Sequence, residues 1–387
     1  KFVFKIVGIR LMAGDSKFQR ICWNIFYYWE IFSLFVAAFL EVINMILTVK
    51  EGSLINVIQM MPCIGYMVIA KSFKVVSNRP MFEKLVSELR DIWPTDEITE
   101  EEYLLISKAL KRLSLMTKGY TCCSMALDII FTCPPFINIA KRLAGKDVPL
   151  ILSFTDWFPF DPFQRGYYEI ILMIQSWQCT VTICCMLASD LLFCVFLSHI
   201  TVQFDLLAIR ITKMFRVPVD RQLIKSYPLG ASYSERTVTQ ELKHNAELSE
   251  IFDRHRTLIR LSNNVENMLS FSFLLNFLNS SIVICFCGFC AVFVEKWNEM
   301  IYKFFLLTAA AQIWLLCWCG QRLLDSSLGI ADALYNSGWY TASNKMKKLI
   351  LIMIHRSQKQ VCLTTCGFSI ISLTSYSTVS ISLTRYG

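Results

Sequence analysis

The sequence contains none of the short motifs that mark the common enzyme classes. It has no glycine-rich phosphate loop, no His-Glu-x-x-His zinc motif and no Gly-x-Ser-x-Gly nucleophile turn. Histidine is scarce, and none of the four histidines stands beside an intramembrane carboxylate at a recognisable spacing. These are His199, His244, His255 and His355. We therefore expect no enzymatic activity, no bound metal and no cofactor.

Charged residues are also sparse. They make up 18% of the 387 residues, whereas hydrophobic residues make up 55%, and soluble proteins carry about a quarter charged residues. The apolar residues are gathered in blocks of about twenty or more, the length that a helix needs to cross a bilayer. We predict seven spans, at Ile25–Val49, Leu54–Val76, Leu110–Pro134, Tyr168–Ile200, Leu269–Val294, Ile301–Leu324 and Val361–Thr384. The fourth is longer than a span needs and is expected to project beyond the membrane.

Lysine and arginine predict the orientation of these spans. With the N-terminus inside, thirty of the 38 basic residues fall in inner segments and eight in outer ones. Cytoplasmic segments carry the excess of Lys and Arg in membrane proteins. We therefore predict a cytoplasmic N-terminus and, because the number of spans is odd, an extracellular C-terminus. This is the reverse of the orientation of G-protein-coupled receptors.

The sixteen cysteines do not form the pattern of a disulfide framework. Most of them lie inside predicted spans, and two pairs, Cys122–Cys123 and Cys184–Cys185, are adjacent in sequence. Cysteine inside an apolar helix acts as a small hydrophobic residue. The spacings are also not those of a zinc site.

An aromatic loop joins the third and fourth spans. It has the sequence SFTDWFPFDPFQRGYY, from Ser153 to Tyr168, with seven aromatic rings and two prolines. The predicted orientation makes this loop extracellular. It is either an ordinary structured loop or a lid over a ligand chamber.

The segment between the fourth and fifth spans is the only sizeable polar region, Thr201–Asn267. In its second half, Leu and Ile recur at helical spacing and predict that the fifth span continues into the cytoplasm as a helix. The residues of this stripe are Leu248, Ile251, Leu258, Ile259 and Leu261.

The last predicted span is rich in hydroxyl groups. Eleven of its twenty-four residues are Ser or Thr, and no charge occurs before Arg385. Such a helix either lines a narrow water-filled pore with an aliphatic constriction or packs against other helices through small polar residues. The candidate pore-lining residues at helical spacing are Leu373, Ser377, Ser380, Ile381 and Thr384.

The C-terminal third of the chain contains Tyr335, Gly338-Trp339-Tyr340, the amphipathic LILIMIHRSQK and Ser375-Tyr376-Ser377. Together these elements resemble the signature region of the insect odorant receptor family. Trp157-Phe158-Pro159-Phe160-Asp161 resembles the family's W-x-P-F-D loop. His255 with Leu258-Ile259 resembles its H-x-x-I-L element. The order and spacing of these motifs match the family pattern along the full length of the chain. Two positions depart from it, because the family often has Gln near Asn276 and an aromatic residue near Thr378.

The resemblance implies an all-α membrane protein with seven transmembrane helices and a cytoplasmic helical anchor. It further implies an odorant-binding subunit of a ligand-gated cation channel, a heterotetramer formed with co-receptor subunits around a pore lined by the last helix. Volatile ligands would bind in the outer half of each subunit, beneath the aromatic loop. The expected location is the plasma membrane, in dendrites of olfactory sensory neurons. The segment between the fourth and fifth spans is short, whereas the family's co-receptor has a much longer one. The chain therefore resembles a tuning subunit and not the co-receptor.

An odorant chamber should have apolar and aromatic walls with a few polar groups. In the predicted orientation, its walls come from the outer halves of the second, third, fourth and sixth spans. Asp128 stands out because a carboxylate at membrane depth is costly and usually functional. The candidate ligand-binding residues are Met60, Cys63, Tyr66, Met67, Met125, Asp128, Ile129, Met173, Trp177, Thr180, Thr308, Ala311 and Gln312.

Two other functions remain as alternatives. A gustatory-type receptor channel shares the fold, but its usual C-terminal Gln-Phe element has no match here. A transporter predicts internal repeats or spans broken by Gly and Pro at corresponding positions, and the sequence has neither.

The predicted division of the chain has five parts. They are the N-terminal segment (1–24), spans one to four with the loop 136–167 (25–200), the inner segment (201–268), spans five and six with their inner connection (269–344), and the anchor helix with the pore helix (345–387).

Overall fold

The computed structural model of the protein is helical almost throughout. It describes residues 17–50, 79–93, 98–154, 156–164, 166–214, 233–293 and 297–378. Within these ranges the long helices are α1 (Lys17–Lys50), α2 (Arg79–Ile92), α3 (Glu100–Leu143), α4 (Tyr167–Met214), α5 (Tyr233–Phe293), α6 (Trp297–Tyr335) and α7 (Asn344–Ser357). A 3₁₀ turn at Trp339–Thr341 joins α6 to α7.

Five of these helices, α1 and α3 to α6, are long and apolar enough to cross a membrane. They coincide with the first, third, fourth, fifth and sixth predicted spans. The second predicted span, Leu54–Val76, lies outside the described residues. The helices are longer than the predicted spans because their polar ends continue as helix on one or both sides of the apolar block. At 1.5 Å per residue, the 48 residues of α4 reach about 72 Å, well beyond a bilayer core of about 30 Å.

Helix α4 occupies the centre of the bundle and packs against α1, α3, α5 and α6. It is apolar around much of its circumference, which is the pattern of a helix surrounded by others. Leu187, Leu197 and Leu207 are completely inaccessible to solvent. A single large core runs along α4 and includes the facing residues of α3, α5 and α6.

At the end of the bundle away from the aromatic loop, α5 continues as one helix from Tyr233 through its apolar span, as the periodicity predicts. Leu248, Ile251, Leu258 and Leu261 are buried. Arg254 ties this end of α5 to its neighbours, because it donates hydrogen bonds to the Gln203 Oε1 atom at 2.8 Å and to the Ile92 carbonyl at 3.0 Å. Helix α7 packs against α6 at the same end.

The prediction of one continuous helix over Val361–Thr384 is wrong for its first half. Residues 361–372 form a tight hairpin in which the Ile371 N–H donates to the Leu363 carbonyl at 2.8 Å. Cys366 and Gly367 both have positive φ, 52° and 82°, as a type I′ turn requires. The Thr364 and Thr365 hydroxyls accept hydrogen bonds from backbone N–H groups of the turn.

Helix resumes only at 373 and is described as far as 378. Ser372 begins it, because its hydroxyl accepts the hydrogen bond of the Ser375 N–H at 3.3 Å. The abundant hydroxyl groups, which favoured a pore or packing role in the sequence, compete here with the helical hydrogen bonds of the backbone. That competition and Gly367 explain why the helix begins later than its apolar pattern suggests.

Candidate functional site

The aromatic loop is fastened to the N-terminal part of α4 by a buried glutamine. The Gln175 side chain donates to the Phe154 carbonyl at 3.1 Å and to the Asp156 carboxylate at 2.8 Å, and it accepts from the Phe154 N–H at 3.2 Å. The Tyr168 hydroxyl adds a bond to the Ile151 carbonyl at 2.8 Å. The loop therefore has a fixed position over the bundle, which a freely moving surface loop would not have.

Asp156 is held in this loop at an electrostatic cost. Burial raises the pKa of its carboxyl above the ordinary value of 3.8, and the hydrogen bond from Gln175 only partly opposes that rise. The second carboxylate oxygen, Oδ1, is buried without a hydrogen-bond partner. Closing the loop over the helices thus buries a carboxylate that water would otherwise solvate.

A group of three phenylalanines lies directly beneath the loop. The Phe131 ring of α3 is 5.1 Å from the Phe154 ring of the loop and 5.6 Å from the Phe305 ring of α6. These distances are typical of packed aromatic pairs. The three rings join the loop, α3 and α6 at the end of the bundle that the loop covers.

Beneath these rings, α3 and α4 bring two of the predicted polar residues together. The Thr180 hydroxyl has one proton to donate, and three acceptors lie within reach: the two carboxylate oxygens of Asp128 at 3.2 Å and 3.4 Å, and the Ser176 carbonyl at 3.1 Å. Both side chains are only partly buried. The pair offers a small polar feature in otherwise apolar surroundings.

The remaining predicted ligand-binding residues fall into three groups. Met125 and Ala311 pack against the main core, and Thr308 and Gln312 are buried within the bundle. By contrast, Ile129, Met173 and Trp177 are exposed on the outside of their helices, at 58%, 64% and 47%. The other four, Met60, Cys63, Tyr66 and Met67, lie outside the described residues.

Trp177 is oriented by a residue that sequence reasoning did not select. Its indole N–H donates to both carboxylate oxygens of Glu30 on α1, at 3.0 Å and 3.1 Å. Glu30 is 5% exposed. The indole thus joins α4 to α1, on a different side of α4 from the contact between Thr180 and Asp128.

A second carboxylate, Asp190, lies deeper in the bundle and organises four helices. Its Oδ2 atom accepts from the Tyr120 hydroxyl at 2.9 Å and from the Gln312 amide at 2.7 Å. Its Oδ1 atom accepts from the Asn276 amide at 3.4 Å. The Ser280 hydroxyl extends the network by donating to the Gln312 carbonyl oxygen at 3.3 Å. All five residues are at least 95% buried.

Sequence reasoning missed this network although a signal for it was present. Asp190 is an isolated acidic residue inside the predicted fourth span, and the argument that selected Asp128 applies to it equally. The residues that donate hydrogen bonds to Asp190 could not be predicted from the sequence, because they lie on three other helices, α3, α5 and α6. Asn276 was noticed only as a departure from the family pattern.

The predicted pore-lining residues are described only in part. Leu373 is partly buried and packs against the main core. Ser377 is exposed, and its hydroxyl donates to the Thr374 carbonyl at 2.7 Å. The other three residues, Ser380, Ile381 and Thr384, lie outside the described residues.

Comparisons with known proteins agree on one family. The profile of the family described as "7tm Odorant receptor" matches residues 53–382. Odorant receptors 85c and 85b of Drosophila melanogaster are each 24% identical to the chain, and each match covers 92% of the chain and 88% of the relative. Odorant receptor 67c of the same fly is 27% identical over 81% of the chain and 74% of its own length.

Solved structures give the same result for the fold. The insect olfactory receptor OR5 from Machilis hrabei superposes with a TM-score of 0.79 at 17% identity, over 100% of this chain and 94% of that one. The structure of that receptor in complex with eugenol gives 0.78 at the same identity and coverage.

Proposed function

The chain belongs to the seven-transmembrane odorant receptor family of insects, and from that premise we propose that it is the odorant-binding subunit of a heteromeric ligand-gated cation channel. The family is a receptor family and not an enzyme class, and the protein is a multi-pass membrane protein. The single observation that carries the odorant-binding part is the fold shared with a receptor solved in complex with eugenol, a small organic ligand.

We place the proposed chamber between α3, α4 and α6, below the aromatic loop. Its walls would be the side chains that face into the bundle on the outer halves of these helices, together with the second span. Only some of the candidate ligand-binding residues selected from the sequence remain, because residues on the outer surface of a helix bundle cannot surround a ligand inside it. The proposed contacts among the described residues are Met125, Asp128, Thr180, Thr308, Ala311 and Gln312.

Asp128 and Thr180 would supply the polar element of the chamber. A largely apolar pocket with one or two well-placed polar groups orients a small ligand and selects among ligands of similar shape. Thr180 already has two acceptors, the Asp128 carboxylate and the Ser176 carbonyl. A ligand hydroxyl or carbonyl would compete for this pair, which would make its recognition sensitive to small changes in ligand polarity.

The loop would act as the roof of this chamber. Gln175, buried and bonded to the loop backbone, supports that role, as do the three packed rings Phe131, Phe154 and Phe305. A fixed apolar roof excludes water from the site and so strengthens the contacts of an apolar ligand.

Assembly with co-receptor subunits follows from the family and remains part of the proposal. The last helix, rich in Ser and Thr, would line the shared pore with Leu373, Ser377, Ser380, Ile381 and Thr384. The inner helices α5 and α7 would form the joint anchor. We further propose an N-terminus inside, a C-terminus outside and residence in the plasma membrane of olfactory sensory neurons.

The test is expression in oocytes with and without a co-receptor. We expect a panel of volatile compounds to evoke current only when both subunits are present. The matched controls are the co-receptor alone and this chain alone, with surface labelling of the chain in every case. Equal currents from this chain alone would contradict the tuning-subunit assignment. Absence of current from the pair across a broad panel, with the chain at the surface, would contradict the proposed channel.

A further inference from the structure

A second cavity, distinct from the proposed odorant chamber, opens between the inner halves of α3, α4 and α6. Its volume is about 450 Å³. One side is apolar, with Leu105, Val202 and Trp318, and the other carries the basic side chains of Lys108, Arg112 and Arg322. The odorant proposal assigns no role to this cavity.

The charges around the cavity are not balanced. Arg322 pairs with Asp205, which also lines the cavity, at 3.4 Å. Lys108 and Arg112 are exposed and have no hydrogen bond or ion pair to any residue that the structure describes. They are four residues apart on α3, so they lie on the same face of the helix. Three cations and one carboxylate leave the site with two uncompensated positive charges.

Two other basic residues at this end of the bundle, Arg210 and Lys213, are paired with acidic residues of α3. Arg210 lies 3.4 Å from Glu102 and Lys213 lies 2.8 Å from Glu101. Acidic residues are thus available on α3 itself. Lys108 and Arg112, like the exposed Lys111, have no such partner among the described residues, but of these three only Lys108 and Arg112 line the cavity.

The depth of the cavity matches the surface of the membrane. The predicted inner ends of the third, fourth and sixth spans are Leu110, Ile200 and Leu324. Cavity residues lie within two positions of each of these ends, for example Lys108, Thr201 and Arg322. Cations at this depth sit where the headgroups of phospholipids lie, and the apolar side of the cavity continues toward the hydrocarbon.

We infer that this cavity binds the phosphate-bearing headgroup of an anionic phospholipid, and that Lys108 and Arg112 are the side chains that contact the phosphate. Basic pockets between transmembrane helices on the cytoplasmic side have the charge and depth that such headgroups require. Trp318 lines the same cavity six residues to the membrane side of Leu324, the predicted inner end of the sixth span, and gives an acyl chain an apolar surface beside the headgroup. A bound lipid would join α3, α4 and α6 below the odorant chamber. Lipid binding at this cavity depends on the membrane fold and not on odorant binding. The placement of the cavity in the cytoplasmic leaflet depends on the proposed orientation.

The experiment uses the full chain, co-purified with a co-receptor and reconstituted in nanodiscs. The probe is a phosphatidylinositol bisphosphate with a photoreactive acyl chain, at low abundance in phosphatidylcholine. We expect crosslinks on the cavity-facing peptides of α3, α4 and α6. Replacing both cations, Lys108→Gln with Arg112→Gln, should reduce this labelling about tenfold, because each basic residue contributes separately to the attraction of an anionic headgroup.

The matched control replaces two other exposed lysines of α3 that do not line the cavity, Lys111→Gln with Lys118→Gln. It changes the net charge equally and should leave the labelling unchanged. A second variant, Ala109→Trp, keeps every charge and fills the cavity, and it should also reduce the labelling. Folding of each variant is checked by its elution as a complex with the co-receptor.

Two further arms decide the source of the phosphate. Soluble inositol trisphosphate should compete poorly, since it lacks the acyl chains. Competition as strong as that of the lipid would overturn the lipid assignment in favour of a soluble ligand. Equal labelling of the Lys108/Arg112 variant and the Lys111/Lys118 control would overturn the site itself.

Discussion

A methyl group added to Gly320 would collide with the carbonyl oxygen of Ile371. Helix α6 therefore touches the backbone of the hairpin that precedes the last helix, with no side chain between them. Because α6 contributes to the proposed odorant chamber and the last helix to the proposed pore, this contact joins the two parts of the molecule directly.

The first prediction replaces this glycine. Gly320→Ala forces apart two backbones that cannot yield like a flexible side chain, and overpacking of this kind costs about 1–3 kcal/mol. We expect a lower melting temperature of the purified complex and a smaller maximal odorant-evoked current. The control is Gly329→Ala on the same helix, where an added methyl group meets nothing within 4 Å. Equal behaviour of the two variants would show that the close contact has no consequence.

The second prediction concerns the Asp190 network. Tyr120→Phe removes one of the donors to the carboxylate and should destabilise the protein by about 1 kcal/mol, the usual value of a hydrogen bond between membrane helices. Asp190→Leu should cost more, because it leaves the Tyr120, Asn276 and Gln312 donors without their acceptor. Tyr103→Phe serves as the control, since Tyr103 is 63% exposed on α3. Thermal unfolding of the complex measures all three, and a neutral Asp190→Leu would contradict the structural role.

The third prediction is a dependence on pH that originates in the loop. The pKa of Asp156 is raised in the folded protein, so the folded state binds its proton more tightly than the unfolded state does. The stability that this carboxyl contributes is fully present below its unfolded pKa, near 4, and is lost as the pH rises through the raised value. Asp156→Asn can still accept from Gln175 but carries no charge. It should therefore be more stable than the natural protein at pH 7.

The difference in stability between the Asp156→Asn variant and the natural protein should shrink as the pH falls toward 4. Melting temperatures across this range measure it, with Asp161→Asn as the control, since the Asp161 side chain is exposed in the same loop. A constant difference at every pH would mean that the burial of Asp156 does not govern the stability of the loop.

The sequence predicted the apolar part of the fold well because burial and membrane crossing leave a direct record in composition. Five of the predicted spans coincide with long apolar helices. The helical continuation of α5 was equally visible, since Leu248, Ile251, Leu258 and Leu261 recur at helical spacing. Periodicity and length are local properties, and local properties can be read from one chain.

Contacts between helices could not be predicted, because they depend on how each helix is rotated. Trp177 and Thr180 are three residues apart, yet the Trp177 indole reaches Glu30 on α1 and the Thr180 hydroxyl reaches Asp128 on α3. The hairpin at 361–372 was missed for a different reason. Its residues are apolar and hydroxylated like those of a span, and the turn depends on the positive φ values of Cys366 and Gly367.

The central claim, an odorant chamber between α3, α4 and α6, is tested most directly by comparing inward-facing and outward-facing variants in the same channel. The measurement is the odorant concentration for half-maximal current in oocytes that also express a co-receptor, with surface labelling of each variant. The inward variants are Met125→Ala and Thr180→Val, and the outward ones are Ile129→Ala and Met173→Ala. The account predicts a shift of about tenfold or more for the inward pair, since each loses a ligand contact worth about 1–2 kcal/mol, and little change for the outward pair. Shifts confined to Ile129 and Met173, with Met125 and Thr180 unchanged, would contradict it.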